Sequence, residues 1–364
     1  MEDWEERSRL VPPLPAFVYP ERSVLPEGGP GEDVPISWYR HRRLLRALGE
    51  LPAQAIGPRP IAGAARDPGG RGCCRGQFAG DLRVATWNSR ALFCKEGPRR
   101  DRKMRYLRKL LLRTDVVLLT ECHGTGGLYD AYRPPRGWVA RFSAGVSAGH
   151  AGVGMMIRES FLDRFDTREW RPFWPGRAAK MALRGREGSL DLIVSYYPTG
   201  DEVAEADTFG APAGRVHEAV NFPALRGIMR DCVAAEVANK ETVLTVMGGD
   251  FNWAARDSDR RAMTTGVAGG ARDRGEERHF EVTLGARHSL HEMHQPEETY
   301  TSRRSRVRLD RIYSNHHIVD QLDHVFQAVA LEWPGWDCSD HRAVLFSRRA
   351  AVHLPGERCF QRRR

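Results

Sequence analysis

The stretch Thr242-Val243-Leu244-Thr245-Val246-Met247-Gly248-Gly249-Asp250-Phe251-Asn252 joins an apolar segment to a short polar one. Its first part, 242–247, is rich in apolar and β-branched residues, which is typical of a buried strand. A carboxylate and an amide, Asp250 and Asn252, follow where this strand ends. Because polar residues at strand ends meet in the loops along one edge of a sheet, the stretch predicts a strand that delivers functional groups to a cleft.

Four other apolar segments carry polar residues at comparable positions. These residues are Asn88 after segment 82–87, Glu121 after 115–120, Asp310 within 307–313, and Asp340 with His341 before 343–347. A single carboxylate at a strand end is usually a cap or a surface residue, but five such sites are harder to dismiss. Oxygen ligands of this kind suit Mg²⁺, and a histidine beside an aspartate is an oriented proton acceptor. The set therefore predicts metal-assisted hydrolysis of a phosphate ester.

The order of the predicted elements favours an α/β fold. We expect strands at 82–87, 115–120, 152–158, 180–184, 190–196, 242–247, 307–313 and 343–347, and helices at 101–113 and 216–239. Strands outnumber helices, and the two kinds are interspersed without internal repeats. This order predicts a four-layered α/β sandwich, in which two packed mixed β-sheets are flanked by helices.

Composition excludes several classes of protein. Of the 364 residues, 41% are apolar and 28% charged, so the chain is not wholly disordered. No apolar run is long enough to span a bilayer, and the acidic start is unlike a secretion signal. The odd number of cysteines, seven, is not typical of a disulfide framework. We expect a monomeric intracellular protein, nuclear or cytoplasmic, without membrane insertion.

The chain divides into three parts by composition. Residues 1–80 form an extension rich in Pro, Gly and Arg, which we expect to be largely irregular apart from a helix at 36–51. Residues 81–350 form the catalytic domain, and 351–364 form a basic tail. The net charge is +9, carried by 51 arginines and only 5 lysines. This excess suits phosphate binding, but coding bias in a GC-rich genome explains it equally well.

Taken in order, the polar strand ends resemble the motifs of the endonuclease/exonuclease/phosphatase superfamily, whose fold is called DNase I-like. The matching segments are Thr86-Trp87-Asn88, Thr120-Glu121, Gly249-Asp250-Phe251-Asn252, Arg308-Leu309-Asp310 and Ser339-Asp340-His341. Each motif is weak alone, but all five occur in the order and spacing of the superfamily. The resemblance covers residues 82–347 and implies a Mg²⁺ ion, or Mn²⁺ in its place.

The resemblance also implies roles for the metal-binding positions. Glu121 matches the residue that holds the ion directly, and Asn88 matches one that holds it directly or through water. Asp340 matches a further carboxylate close to the metal.

The catalytic positions match as well. Asp250 matches the aspartate that activates the attacking water or assists the leaving oxygen, and Asn252 matches the asparagine that holds the phosphate or the nucleophile. His341 matches the histidine that contacts the scissile phosphate or acts as base, and Asp310 matches its orienting aspartate. On its own, Asp310 would instead suggest an ion pair with Arg308 or Arg311.

One position separates the branches of the superfamily. In Ser195-Tyr196-Tyr197-Pro198-Thr199, Tyr196 matches the phosphate-contacting tyrosine of exonuclease III-type AP endonucleases and non-LTR retrotransposon endonucleases, although Thr199 departs from their asparagine. This match favours a nuclease that binds nucleic acid, specifically DNA. We expect Arg303, Arg304, Arg306 and Trp253 to contact the substrate. The alternatives are a phosphoesterase acting on RNA ends, sphingomyelin or inositol phosphate, and an inactive nucleic-acid-binding member.

Overall fold

The computed structural model describes residues 76–145, 149, 151–198, 222–269, 273–315, 326–335 and 338–349. The strands, in chain order, are β1 Leu82–Asn88, β2 Val116–Thr120, β3 Trp138–Ser143, β4 Val153–Arg158, β5 Thr167–Trp174, β6 Ala178–Gly185, β7 Gly188–Tyr196, β8 Leu244–Asp250, β9 Arg260–Ala262, β10 His291–Glu292, β11 Tyr300–Thr301, β12 Ser305–Val307, β13 Asp310–Ser314, β14 Phe326–Ala330 and β15 Val344–Arg348. The helices are α1 Pro98–Arg113, α2 Gly126–Ala131, α3 Glu159–Leu162, α4 Phe222–Glu236, α5 Arg274–Phe280 and α6 Ala286–His288. A π-helical turn, Glu281–Gly285, joins α5 to α6. The helix predicted at 36–51 and the predicted basic tail lie outside the described residues.

Two six-stranded sheets form the centre of the fold. The first has the strand order β14-β15-β1-β2-β4-β3, and the second has the order β10-β13-β8-β7-β6-β5. Each sheet is mixed, because β1 pairs with β2 and β7 with β8 in parallel, whereas their other neighbours are antiparallel. A small third sheet has the order β11-β12-β9. The two mixed sheets confirm the fold class expected from the sequence.

Alternation of side chains along the strands generates the layers. In β2, Leu118 faces the other sheet and packs in the same cluster as Val246 of β8. Its neighbours Val117 and Leu119 face outward and pack with Leu110 of α1. On the far side of the second sheet, buried residues of α4 and α5 pack against β7, β8 and β13. The helices therefore cover the outer faces, and the predicted four-layered sandwich is confirmed.

The two glycines that precede Asp250 have a packing reason. A Cβ added to Gly249 would lie 1.7 Å from the backbone oxygen of Ser195 on the adjacent strand. A Cβ added to Gly248 would lie 3.0 Å from Leu118 of the opposite sheet. Their absent side chains let β8 approach both β7 and the first sheet, which brings Asp250 close to residues of both sheets.

The structure corrects one predicted strand. The segment 307–313 is not continuous, because β12 ends at Val307 and β13 begins at Asp310, and the two belong to different sheets. The hydroxyl oxygen of Thr299 accepts the amide hydrogens of both Leu309 (3.0 Å) and Asp310 (2.9 Å), which replaces strand pairing at the break. Asp310 is consequently the first residue of its strand, at the edge where the other polar residues lie.

The described chain begins slightly before the predicted domain boundary. Gln77 forms a β-bridge with Ser189, and Phe78 is fully buried against the rings of Phe161 and Phe165. These residues pack on the domain, while residues 1–75 of the predicted extension lie outside the described residues. None of the helices in the described segments combines the length and apolar composition needed to cross a membrane.

Candidate functional site

Strand ends from both central sheets bring the predicted residues together. Asn88 is the last residue of β1, and Glu121 directly follows β2, its parallel neighbour. In the second sheet, Asp250 ends β8 and is paired across the ladders with Tyr196 of β7 and with Asp310 of β13. All five residues therefore lie at the same edge of the sandwich.

Asn88 links the two sheets through its side-chain amide. Its Nδ2 donates to Glu121 Oε1 and to Asp250 Oδ2, at 2.8 Å in each case. Its Oδ1 accepts the backbone amide hydrogen of Arg90 at 2.9 Å, which fixes the orientation of the amide. Tyr196 donates its hydroxyl hydrogen to Glu121 Oε1 at 2.9 Å. Asn88 thus holds the carboxyl group of Glu121, which follows a strand of the first sheet, close to the carboxyl group of Asp250 in the second sheet.

His341 and Asp310 form a buried pair. His341 Nδ1 lies 2.7 Å from Asp310 Oδ2, and His341 Nε2 lies 3.9 Å from Asp250 Oδ2. The ring of Tyr300 covers the imidazole at a centroid distance of 4.9 Å. The alternative for Asp310 does not hold, because Arg308 and Arg311 pair with Asp259 and Glu292 instead.

Burial and charge shift the proton affinities of this site. Burial alone would lower the pKa of His341, but the charge and hydrogen bond of Asp310 outweigh it and raise the pKa to about 10. Burial, reinforced by the charge of Asp310, raises the pKa of Asp250 to about 7. The metal-free site at neutral pH therefore holds a protonated histidine beside a carboxyl group that binds and releases protons near pH 7.

The donors fit a hard divalent cation. One atom each of Asp250, Asp310 and His341 lies within 4.8 Å of the others, and the two carboxyl groups of this cluster offer oxygen donors. Asp310 Oδ1 is buried and accepts no hydrogen bond from the described residues. Glu121 adds a second carboxylate beside Asp250 through their shared contact with Asn88. Carboxylate oxygens of this kind are the usual ligands of Mg²⁺.

Two predicted residues have their polar atoms committed elsewhere. Asp340 Oδ2 forms an ion pair with Arg90 Nη1 at 2.8 Å, so this carboxylate meets the site at its rim. Asn252 donates from Nδ2 to the backbone oxygen of Tyr197 at 2.8 Å, and its backbone amide donates to Asp250 Oδ1 at 3.0 Å. Asn252 therefore also holds the backbone beyond β8 in place.

The structure does not bring Trp253 to the site. Its side chain is 1% exposed and packs against the rings of Tyr197, Phe251 and Phe280. A side chain enclosed in this way has no face left for a substrate. Its predicted substrate contact is therefore wrong, and Trp253 belongs to the core beneath the second sheet.

The predicted substrate-binding arginines are exposed beside the site. Arg303 and Arg304 lie in the turn between β11 and β12, and Arg306 lies in β12. None of the three has an ion-pair partner among the described residues. The same small sheet carries Tyr300, which forms a β-bridge with His341. The arginines are therefore presented on a hairpin that adjoins His341.

Sequence reasoning missed the residues that support the site from behind. Arg226 of α4 is buried and donates to the backbone oxygens of Pro198 (3.1 Å) and Asn252 (2.7 Å). Lys103 of α1 donates from Nζ to the backbone oxygens of Ser89 and Arg90. These partners are 13 or more residues apart in the chain and belong to no motif, so the sequence carries no signal for them.

Comparison with solved structures identifies the same fold. The AP endonuclease LMAP from Leishmania major superposes with a TM-score of 0.52 at 16% identity, over 74% of this chain and 88% of that one. An AP endonuclease from Archaeoglobus fulgidus gives a TM-score of 0.50 at 15% identity, over 73% of this chain and 98% of that one. Curated protein sequences give no significant match. At these identities the likeness shows the fold alone.

The sequence model of one family extends across the site. It matches residues 85–341, from β1 to His341, and includes every strand end described above. A match over well over half of the chain, together with the shared fold, leads to one assignment: the chain belongs to the endonuclease/exonuclease/phosphatase family.

Proposed function

We propose that the protein is a divalent-metal-dependent phosphodiesterase that cleaves DNA endonucleolytically. The observation that carries the proposal is the convergence of Glu121, Asp250 and the Asp310–His341 pair at one edge of the sandwich. This set offers oxygen donors for a cation, a proton acceptor and an oriented imidazole within one cleft. These are the groups that hydrolysis of a phosphodiester needs.

Glu121 would hold the cation directly, with Asp250 beside it. Asn88 would contribute through water, because its Nδ2 donates to both carboxyl groups. A bound Mg²⁺ or Mn²⁺ would supply Lewis-acid stabilisation of the charge that develops on the phosphate oxygens. Asp340, predicted close to the metal, would act at the rim of the same site.

The side chains of the chain itself would then act on the proton and the phosphate. Asp310 holds His341 through Nδ1, which leaves Nε2 to donate a hydrogen bond to a phosphate oxygen. Asp250, whose carboxyl group lies between Asn88 Nδ2 and His341 Nε2, takes the proton from the attacking water. The bond from phosphorus to the leaving oxygen breaks as the new bond forms. Tyr196 keeps Glu121 in place, and Asn252 fixes the backbone that carries Asp250.

The choice of DNA rests on charge and on one motif. Arg303, Arg304 and Arg306 present guanidinium groups on the hairpin next to His341, and within the described segments none of them has an ion-pair partner. Such a cluster suits the phosphates of a polyanion better than one small substrate. Tyr196 matches the branch of the family that contains AP endonucleases, and two AP endonucleases are among the structures with the same fold.

A substrate panel tests the proposal. Purified protein is incubated with plain plasmid, abasic duplex DNA, single-stranded RNA and sphingomyelin, each with Mg²⁺ or with EDTA. We expect cleavage of one of the DNA substrates in Mg²⁺ only. An Asp250→Asn variant, purified identically, controls for contaminating nuclease and should be inactive. Hydrolysis of sphingomyelin or RNA without cleavage of DNA would overturn the proposed substrate, and full activity in EDTA would overturn the metal dependence.

A further inference from the structure

The turn that follows β1 has an unusual backbone. Arg90 (φ +44°) and Ala91 (φ +70°) are consecutive non-glycine residues in the left-handed region, which disfavours side chains with a Cβ. Hydrogen bonds fix the turn to the site: the amide of Arg90 donates to Asn88 Oδ1, and the amide of Ala91 donates to the backbone oxygen of Glu121 at 2.7 Å. Strain of this kind persists only where the surroundings impose it.

A buried lysine supports the turn from below. The side chain of Lys103 is fully buried, and its Nζ donates to the backbone oxygens of Ser89 and Arg90, the latter at 2.6 Å. Burial, together with the nearby charge of Arg99, lowers the pKa of Lys103 to about 8. Burying an ammonium group without a carboxylate partner is costly. Its presence therefore indicates a role in shaping the turn rather than in stabilising the fold.

The turn directs the side chain of Arg90 to the rim of the site. The side chain of Arg90 is 50% exposed, and its Nη1 lies 2.8 Å from Oδ2 of Asp340, the residue before His341. Its other N–H groups have no acceptor in the described part of the chain. The position of Arg90 is therefore fixed twice, by the hydrogen bond from its backbone amide to Asn88 and by the ion pair of its guanidinium with Asp340.

The charge of the site explains why a cation is needed there. The carboxyl groups of Glu121, Asp250, Asp310 and Asp340 lie at one edge of the sandwich, and ionised carboxylates repel a phosphate. Arg90 neutralises Asp340 with one N–H and leaves the rest of its planar fork toward solvent. A guanidinium fork is well suited to two phosphate oxygens.

We propose that Arg90 binds a substrate phosphate at the rim of the site, and that Lys103 is a positioning residue that holds Arg90 there. The proposal rests on the proposed function, because it deepens how the same site recognises a phosphodiester. Neither Arg90 nor Lys103 belongs to a motif named above, and the proposal gives both a role in binding one phosphate.

The first test concerns Arg90. We expect Arg90→Ala to lower kcat/KM on duplex DNA by about 10- to 100-fold, the cost of one charge-assisted hydrogen-bonded contact. The slope of log Kd against log salt, measured in EDTA, should fall by about one. Arg186→Ala, an exposed arginine in the turn between β6 and β7, is the matched control and should leave kcat/KM unchanged.

Replacing single DNA phosphates by uncharged groups identifies the phosphate that Arg90 contacts. Duplexes in which one phosphate near the cleavage site is replaced by a methylphosphonate are scanned with the parent and with Arg90→Ala. At one position the neutral group should weaken the parent but not the variant, because the charge that Arg90 contacts is already absent. If the variant and the parent lose the same factor at every position, Arg90 does not bind phosphate.

The second test concerns Lys103. We expect Lys103→Met to lower kcat/KM by a similar factor without lowering Tm, since the change removes a buried charge. Lys103→Gln, whose amide can still donate to a carbonyl, should retain more activity and serves if the methionine variant fails to fold. In the Arg90→Ala background, Lys103→Met or Lys103→Gln should lower kcat/KM only slightly further. If Lys103→Met lowered kcat/KM by the same factor in the parent and in Arg90→Ala, and also lowered Tm, the role of Lys103 would be structural only.

Failure of this inference is separable from failure of the proposed function. A parent that cleaves no DNA would refute the proposed function, while the salt slopes and the binding of methylphosphonate duplexes in EDTA would still decide the role of Arg90. If the parent cleaves DNA but Arg90→Ala cleaves it equally well, the role of Arg90 is refuted and the proposed function stands.

Discussion

His341 and Asp310 act as one unit if the imidazole depends on the carboxylate for its orientation and its proton. Their contact of 2.7 Å is buried, so water cannot replace the carboxylate. We expect His341→Ala to lower kcat by about a thousandfold or more, and the further change Asp310→Ala to add little. Single-turnover cleavage of DNA by both single variants and the double variant measures this. A double variant whose loss is the product of the single losses would contradict the pairing.

Glu121 is suited to hold a cation because it stays ionised. Burial alone would raise its pKa, but the charge of His341 and the hydrogen bonds from Asn88 and Tyr196 lower it. We expect Glu121→Gln to abolish turnover at millimolar Mg²⁺ and to weaken Mn²⁺ binding measured by electron paramagnetic resonance. Tyr196→Phe keeps the carboxylate and should weaken Mn²⁺ binding far less. Unchanged Mn²⁺ binding in Glu121→Gln would remove this residue from the metal site.

At the scale of elements, apolar runs in the sequence predicted the positions of the central strands and approximately where they end. The apolar runs at 82–87, 115–120 and 190–196 correspond to β1, β2 and β7, because buried central strands are continuous in apolar residues. The strand β5 was missed, since its exposed arginines and glutamate mask the alternation of an edge strand. The break between β12 and β13 depends on Thr299, whose hydrogen bonds no local pattern reveals.

Two basic elements are candidates for the proposed DNA-binding surface. The small sheet presents Arg303, Arg304 and Arg306 beside His341, whereas α1 presents its arginines along the outer face of the first sheet. We expect replacement of Arg303, Arg304 and Arg306 by serine to reduce the salt slope of DNA binding by two to three. Replacement of Arg99, Arg100 and Arg102 by serine is the matched control, with a smaller effect expected. A larger effect from the control would move the DNA surface to α1.

For the whole molecule, the site depends on contacts between distant parts of the chain. Asn88 joins β1 to β8 across 162 residues, and Ser339 donates its hydroxyl hydrogen to the backbone oxygen of Asn88 across 251. The motifs predicted which residues would meet at the edge of the sandwich. They could not predict that the amide of Asn88 would bridge two carboxylates or that Asp340 would pair with Arg90, because both depend on how the two sheets pack.

A buried ion cluster lies beside the two strands that carry Asp250 and Asp310. Arg308 and Arg311, which flank Asp310, both contact Asp259 and Glu292. Asp259 lies in the loop that follows Asp250 and also accepts the backbone amides of Ala255 and Arg256, each at 3.0 Å. The cluster thereby ties the start of β13 to the loop beyond β8.

The stability of the fold should depend on the charge of Asp259. Asp259→Asn leaves two buried guanidinium groups undercompensated, so we expect a loss of about 3–5 kcal/mol at pH 7 in urea denaturation. Asp163→Asn, an exposed partner of Arg168, is the control and should change stability by less than about 0.5 kcal/mol.

The loss caused by Asp259→Asn should also depend on pH in one direction. Burial alone would raise the pKa of Asp259, but Arg311 and Arg308 outweigh it and hold the pKa below its ordinary value of 3.8. A carboxyl group with a lowered pKa stabilises the fold above its unfolded pKa, and this contribution is lost as the pH falls through the folded pKa. The difference between the parent and Asp259→Asn should therefore be constant above about pH 5 and shrink below about pH 4. A difference that grows on acidification would show that the carboxyl is protonated in the folded protein, and the ion cluster would then not be what holds β13 against the loop beyond β8.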